Sequence, residues 1–182
     1  LRLRSDVPVG VSLSGGLDSS SITSLLLKDF NKKDLKTFSA VYGRGQHGDE
    51  SPFIHEYNNQ VSSMYFTNPT AETLLDDIPT FIHSHGEPFP STSPYAQFKV
   101  MELAKDHVVV TLDGQGADES LAGYHYFFGY YFKDLLRKFR FLQFVTESFA
   151  YIRNHKSLYG LKTMMYFFLP EVFQTKARVT EK

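Results

Sequence analysis

The chain has 182 residues, 19 basic against 20 acidic side chains, and no cysteine. That length supports a core of ordinary size, and the balanced charge leaves no nucleic-acid footprint. The missing thiols exclude disulfides, thiolate metal sites and a cysteine nucleophile within these residues. No apolar run reaches the length of a membrane span and no signal peptide is visible, so a cytoplasmic protein without membrane or nucleic-acid partners is expected.

Val7 to Leu13 is a short apolar run that reads as a buried strand. It breaks into Ser14-Gly15-Gly16 and enters a helix from about Asp18 to Phe30, with Ile22, Leu25, Leu26 and Phe30 expected on its buried face. Strand, glycine turn and helix N-terminus is the geometry of an anion site. The glycines let the backbone approach a ligand, and the first-turn amides have no partner inside the helix. Ser14, Ser19 and Ser20 add hydroxyl donors. Asp18 cannot hold a phosphate itself, so its partner is expected to be a magnesium ion carried by the phosphate. A Gly-Gly pair after a strand can also be a plain turn, with Asp18 or Ser19 capping the helix. The string is neither a Walker A loop nor a dinucleotide fingerprint.

Beyond the polar turn at 31–34, Lys36 to Tyr42 reads as a second strand. A glycine-rich loop over 43–50 leads to Ser51-Pro52, which suits a helix start. A short third strand is expected near 62–67, then a helix capped by Thr70 that carries Leu74, Leu75, Ile78, Phe81 and Ile82 and is disturbed at Pro79. Residues 83–93 read as an irregular loop, and Ser93-Pro94 as the start of a helix to about Lys105. Val108 to Leu112 reads as a strong buried strand, followed at once by Asp113-Gly114-Gln115-Gly116-Ala117-Asp118-Glu119. Strands and helices alternate, so the expected fold is α/β, a parallel twisted sheet with helices on both faces. Ligands bind such sheets at the carboxyl ends of strands, where both glycine-bearing loops fall.

Composition shifts after Gly123. Of 28 aromatic residues, 17 lie between Tyr124 and Phe173. Phe127, Phe128, Tyr131, Leu135, Leu136 and Phe139 have helical spacing, as do Phe141, Phe144, Val145, Phe149 and Ile152. We therefore divide the chain into an α/β core at 1–123 and a truncated, aromatic-rich helical extension at 124–182. The aromatics are expected to form core or interface. His83 and His85 lack a third ligand and are not read as a metal site; His47 and His125 are read as surface or loop residues.

Two carboxylates, Asp18 and Asp118, each follow a strand end closely, which suits a magnesium ion beside a phosphate cradle. Asp118 and Glu119 could equally charge a helix start. With these residues in view, a resemblance is evident. Ser-Asp-Val-Pro-Val-Gly-Val at 5–11, Ser-Gly-Gly-Leu-Asp-Ser-Ser at 14–20, Asp-Glu-Ser at 49–51, Glu-Pro-Phe at 87–89, Gly-x-Gly-Ala-Asp-Glu at 114–119 and Gly123-Tyr124 occur in order. The set resembles the synthetase (ATP pyrophosphatase) domain of glutamine-hydrolysing asparagine synthetases and their relatives, over about residues 4–126.

The resemblance implies an adenine nucleotide alpha hydrolase-like fold and a ligase that uses ATP and Mg²⁺. A carboxylate, aspartate first of all, attacks the α-phosphorus to give an acyl-adenylate and pyrophosphate; ammonia then displaces AMP. Carried over, Ser14, Gly15, Gly16, Asp18, Ser19 and Ser20 hold pyrophosphate, Asp18 and Asp118 hold the metal, and Leu13, Val41, Asp113 and Gly114 lie at the adenosine. Gln115 and Glu87 are expected at the reacting groups. The family often has Glu where this chain has Gln115, Ser where it has Asp113, and Asp where it has Gly86. Gln115 can orient a group but cannot take its proton, which leaves other acids open: a small metabolite or sugar acid, or β-lactam-type ring closure. A non-catalytic ATP-binding domain is a third reading. Ammonia is expected from a glutaminase domain outside this chain, and a homodimer is a further expectation.

Overall fold

The computed structural model describes residues 3, 5–43, 49–89 and 91–169. The expectations that fall on 44–48, including His47, on Pro90 and beyond Leu169 lie outside the described residues. Two compact units divide the chain, Leu1–Gln115 and Gly116–Lys182.

In the first unit the elements run β1 (Val9–Ser12), α1 (Leu17–Lys28), β2 (Lys36–Ala40), α2 (Ser51–His55), β3 (Ser63–Thr67), α3 (Ala71–His85), α4 (Ser93–Ala104) and β4 (Val110–Leu112). The four strands form one parallel sheet in the order β3-β2-β1-β4. Val11 pairs with Thr37 and Ser12 with Phe38, and neighbouring partners share a face. Val11 packs with Leu26 and Leu35 on the α1 side. Phe38 packs with Val100, Ala104 and Val108 on the α4 side. The alternation along β1 and β2 therefore puts one helix on each face, as the sequence pattern expects. Each fully buried Val, Leu or Phe contributes about 1.5–3 kcal/mol.

Three details differ from the sequence pattern. On α1 the buried residues are Ser19, Thr23 and Leu26, whereas Leu25 and Phe30 are 51% and 61% exposed. The buried stripe is rotated because small polar side chains fit closest to the sheet. Pro79 does not break α3, which runs on to His85 and ends on the left-handed Gly86. Pro79 and Leu75 are exposed, so the Leu75 carbonyl that loses its helical donor faces water. His83 and His85 are thus exposed residues of a helical turn. Finally, β4 has three residues and, like β3, is an edge strand of the described sheet. Val109, just before it, is 71% exposed and Val110 38%, so the stretch read as a buried strand is exposed at its start.

A clamp holds α3 to α4. The Tyr95 hydroxyl and the Lys99 ammonium both donate to Asp77 Oδ2, at 2.7 and 3.0 Å. These donors hold the Asp77 carboxyl below the usual carboxylate range, the tyrosine hydroxyl contributing most. Phe81, fully buried, closes the same seam against Phe89, Tyr95 and Phe98.

The second unit contains α5 (Ala117–Leu121), α6 (Tyr126–Arg137), α7 (Phe141–His155) and α8 (Tyr159–Phe168). Phe132, Leu135 and Tyr151 form its core. Gly129 lets α6 lie on α8: a Cβ there would stand 2.5 Å from Thr163 Oγ1. The Tyr151 hydroxyl accepts from the Gly160 amide at 3.1 Å and meets His125 Nδ1 at 3.1 Å. His125, in the turn before α6 as one of its two expected settings, is half-buried against the helical core. The α7 stripe read from spacing is split: Phe144 packs on this core, whereas Val145 and Phe149 are 61% and 69% exposed while Ser148 and Tyr151 are buried. Phe139 and Tyr131 of the first stripe are also exposed.

Candidate active site

Leu13 continues the sheet one residue past β1, its amide donating to the Phe38 carbonyl at 2.9 Å. The Leu13 carbonyl in turn accepts from the buried Ser39 hydroxyl at 2.6 Å. With Leu13 fully buried, the chain must turn immediately. Gly15 makes the turn at φ +93°, where a side chain is strained. A Cβ at Gly15 would also stand 2.7 Å from the Glu50 carbonyl oxygen and 3.2 Å from Ile54 Cγ1. Gly15 thus lets the loop and the start of α2 touch. Gly16 is the N-cap of α1 and, lacking a side chain, offers no side-chain cap to the first-turn amides.

The loop is braced from within. The Ser19 hydroxyl accepts from the Ser14 amide at 3.2 Å and donates to the Gly16 carbonyl at 3.2 Å. Ser14 Oγ lies 3.0 Å from it and accepts from the Gly16 amide at 3.2 Å. Outside the loop, the Tyr57 hydroxyl donates to the Ser20 carbonyl at 2.9 Å and lies 2.8 Å from Ser24 Oγ. Asp49 accepts from the Ser51 amide and hydroxyl at the head of α2. The hydroxyl is the main reason its carboxyl is held below the usual range.

The sheet order sets what lies opposite. From β1 the chain passes outward to β2 and β3, then returns to the other side of β1 as β4. The reversal between β1 and β4 is the topological switch point, where ligands bind open parallel sheets. The loops leaving β1 and β4 meet there: a Cβ on Gly114 would stand 3.0 Å from Asp18 Cβ and 3.0 Å from the Ser19 amide nitrogen. Asp113, next to Gly114, is held in place. The Thr111 hydroxyl donates to its Oδ2 at 3.0 Å and the Gln97 amide to its Oδ1 at 3.2 Å.

A cavity opens on the α4 side of this junction. Leu13, Phe38, Ala40 and Val100 supply its apolar wall; Ser14, Glu50, Gln97 and Gln115 are among its polar lining residues. An apolar slot with a few polar groups, beside an amide-rich turn, fits a flat heterocycle carrying phosphates.

The structure therefore gathers Leu13, Ser14, Gly15, Gly16, Asp18, Ser19, Ser20, Asp113, Gly114 and Gln115 at one strand-end junction. Val41 lies between two cavity residues, Ala40 and Tyr42, and its amide is engaged with the Thr67 carbonyl at 2.9 Å. Glu87 sits exposed just after the Gly86 cap, outside the residues lining the cavity. Asp118 is exposed in the first turn of α5, in the second unit. Among the described residues no cluster of three His, Asp or Glu side chains could hold a metal ion. Glu50, Ser93 and Gln97 line the cavity but were not among the expected site residues. Asp-Glu-Ser at 49–51 was a signal for Glu50, whereas Gln97 had none.

Comparison with known proteins gives a consistent picture. The asparagine synthase family model matches residues 1–178. A protein of Methanocaldococcus jannaschii, provisionally named glutamine-hydrolysing asparagine synthetase 2, is 34% identical over 179 residues, covering 96% of this chain and 33% of the relative. Glutamine-hydrolysing asparagine synthetase 1 of Bacillus subtilis is 34% identical over 129 residues, covering 69% of this chain and 20% of the relative. Amidase chyE of Penicillium rubens is 26% identical over 141 residues, 70% of this chain and 21% of its own. The chain thus spans about a third or less of the length of these relatives.

Proposed function

The chain belongs to the asparagine synthase family, and from that membership we propose that it is the ATP-handling part of an amide-forming ligase. The substrate carboxylate, aspartate in the leading reading, attacks the α-phosphorus of ATP. The bond to the pyrophosphate oxygen breaks, and an acyl-adenylate forms. Ammonia then attacks the acyl carbon and AMP leaves. The observation that carries this reading is the contact of the two strand-end loops at the switch point, Gly114 against Asp18 and Ser19.

Each part has a role suited to its geometry. The cavity takes the base and ribose. The turn at Gly15 and Gly16 and the head of α1 face the β- and γ-phosphates, with Ser14, Ser19 and Ser20 as further donors. Asp18 offers hard carboxylate oxygens at the start of α1, which suits a magnesium ion held by few protein ligands plus phosphate oxygens; for Asp118 that role rests on the family resemblance alone. When bound, that ion neutralises charge on the phosphates. No protein nucleophile is needed; the step requires aligned reactants and a neutralised leaving group. Gln115, on the cavity wall, can orient the carboxylate by hydrogen bonding without accepting its proton. That property supports a second reading, in which the activated acid is not aspartate.

The test is ATP–pyrophosphate exchange with the full-length protein and Mg²⁺. Aspartate-dependent exchange supports the first reading; exchange with another carboxylate from a panel supports the second. ATP binding without exchange for any acid would leave a nucleotide-binding domain. Asp18→Ala should abolish Mg-ATP binding, and unchanged affinity in that variant would sink both catalytic readings.

A further inference from the structure

Glu50 carries a carboxylate that the proposed reaction leaves unused. It stands just before α2 and lines the cavity together with Ser14. Its main chain is pinned to the β1–α1 turn. A Cβ at Gly15 would lie 2.7 Å from the Glu50 carbonyl oxygen, which also accepts from the Phe53 and Ile54 amides. The side chain reaches along the same turn, where a Cβ at Gly16 would lie 3.6 Å from Glu50 Oε2. Among the described residues no cation is paired with this carboxylate, and no Lys, Arg or His lines the cavity. An unpaired negative group therefore stands beside the N-terminus of α1, whose first-turn amides attract negative charge.

On the proposed reading that this turn faces the β- and γ-phosphates, we infer that Glu50 is a charge filter on the loop, one that disfavours phosphates arriving without a counter-ion. The resident carboxylate already occupies the field that a phosphate would use, and it repels each phosphate charge besides. A phosphate whose charge is neutralised meets little of that repulsion. Glu50 is exposed, so water and salt keep the effect moderate. Asp49, one residue earlier, carries the same charge but is turned to the Ser51 amide and hydroxyl, which holds it at the head of α2. The filter thus depends on where the charge stands, not on the net charge of the segment.

The experiment measures calorimetric binding of inorganic pyrophosphate to the full-length protein in buffer freed of divalent metal. Glu50→Gln keeps the shape and removes the charge. It should bind pyrophosphate about three- to tenfold tighter than wild type, the scale of several exposed like-charge contacts, and Glu50→Ala should gain similarly. The gap should close in about 1 M salt, where the Debye length is about 3 Å. Asp49→Asn, the control for net charge, should stay within about twofold of wild type. Melting temperatures within about 2 °C of wild type report that the variants are folded. No gain in Glu50→Gln and Glu50→Ala, an equal gain in Asp49→Asn, or a gap that salt leaves intact overturns the inference; binding of pyrophosphate or ATP by the wild type with Mg²⁺ then leaves the proposed function standing. Failure of wild type and variants alike to bind either ligand, with Mg²⁺ or without it, overturns the inference and the proposed function together.

Discussion

Replacing Gly15 with alanine adds one methyl group at the tightest point of the β1–α1 turn. Two costs follow from the structure. Backbone at φ +93° disfavours an L-residue by about 1–2 kcal/mol. The new Cβ would lie 2.7 Å from the Glu50 carbonyl oxygen and 2.8 Å from Glu50 Cβ. Both are fixed atoms near the start of α2, so the turn and α2 must part, at an overpacking cost of about 1–3 kcal/mol. Together the loss should be about 2–5 kcal/mol, or roughly 4–20 °C in melting temperature for a domain of this size. Gly16→Ala is the control. Gly16 sits at φ −66°, and its Cβ would meet only Ser14 Oγ at 3.3 Å and Glu50 Oε2 at 3.6 Å, both on side chains. It should cost less than about 1 kcal/mol. Thermal melts followed by far-ultraviolet circular dichroism on the full-length protein measure the difference. Melting of Gly15→Ala within 1–2 °C of Gly16→Ala would refute the reasoning, because backbone and contact would then both be irrelevant.

Three further outcomes are expected. Gly129→Ala should gain about 1 kcal/mol of helix propensity yet destabilise overall by about 1–2 kcal/mol, since its Cβ would meet Thr163 Oγ1 at 2.5 Å and Thr163 Cβ at 2.8 Å; a stabilised variant in urea titration would count against close α6–α8 packing. Tyr57→Phe removes the hydroxyl that bonds the Ser20 carbonyl and should lower stability by about 1 kcal/mol, read from the urea midpoint. The Asp77 clamp sets an acid limb. Its folded carboxyl is depressed, so its stabilisation is present above the unfolded value near pH 4 and is lost as pH falls through the folded value. Asp77→Asn should remove that dependence; parallel stability curves for wild type and variant between pH 5 and pH 2 would contradict it. At the other end, Lys99 is raised, chiefly by Glu102, so its contribution is full below about pH 10 and fades at higher pH.

The sheet and its glycine turns were legible because they rest on local rules. The alternation around Val11 and Phe38, and Ser14-Gly15-Gly16 after an apolar run, leave few alternatives. The parallel order could be expected only as a class; that β4 returns beside β1 is a long-range pairing no local pattern encodes. Helix faces were the weaker reading. On α1 and α7 the eye follows large apolar residues, but Ser19, Thr23 and Ser148 take the close positions because small side chains permit approach. At the site, Ser93 read as a helix start and Gln97 carried no signal of its own. Their place on the cavity wall depends on α4 docking across β2 and β3, which the chain's own spacing does not reveal.

The inward bonding of Ser14 and Ser19 bears on how tightly an anion can be gripped. A loop whose hydroxyls stood idle would add each new bond to a phosphate in full. Here every hydroxyl that turns to an arriving oxygen first releases a partner already in hand, the Gly16 carbonyl for Ser19. A hydroxyl proton swings about its C–O bond without moving the backbone, so the exchange is quick and leaves the loop in shape. The grip is then a trade between equals at these serines, with its net strength drawn from charge. On the proposed function, such a loop is expected to hold pyrophosphate mainly through charge rather than through these hydroxyls.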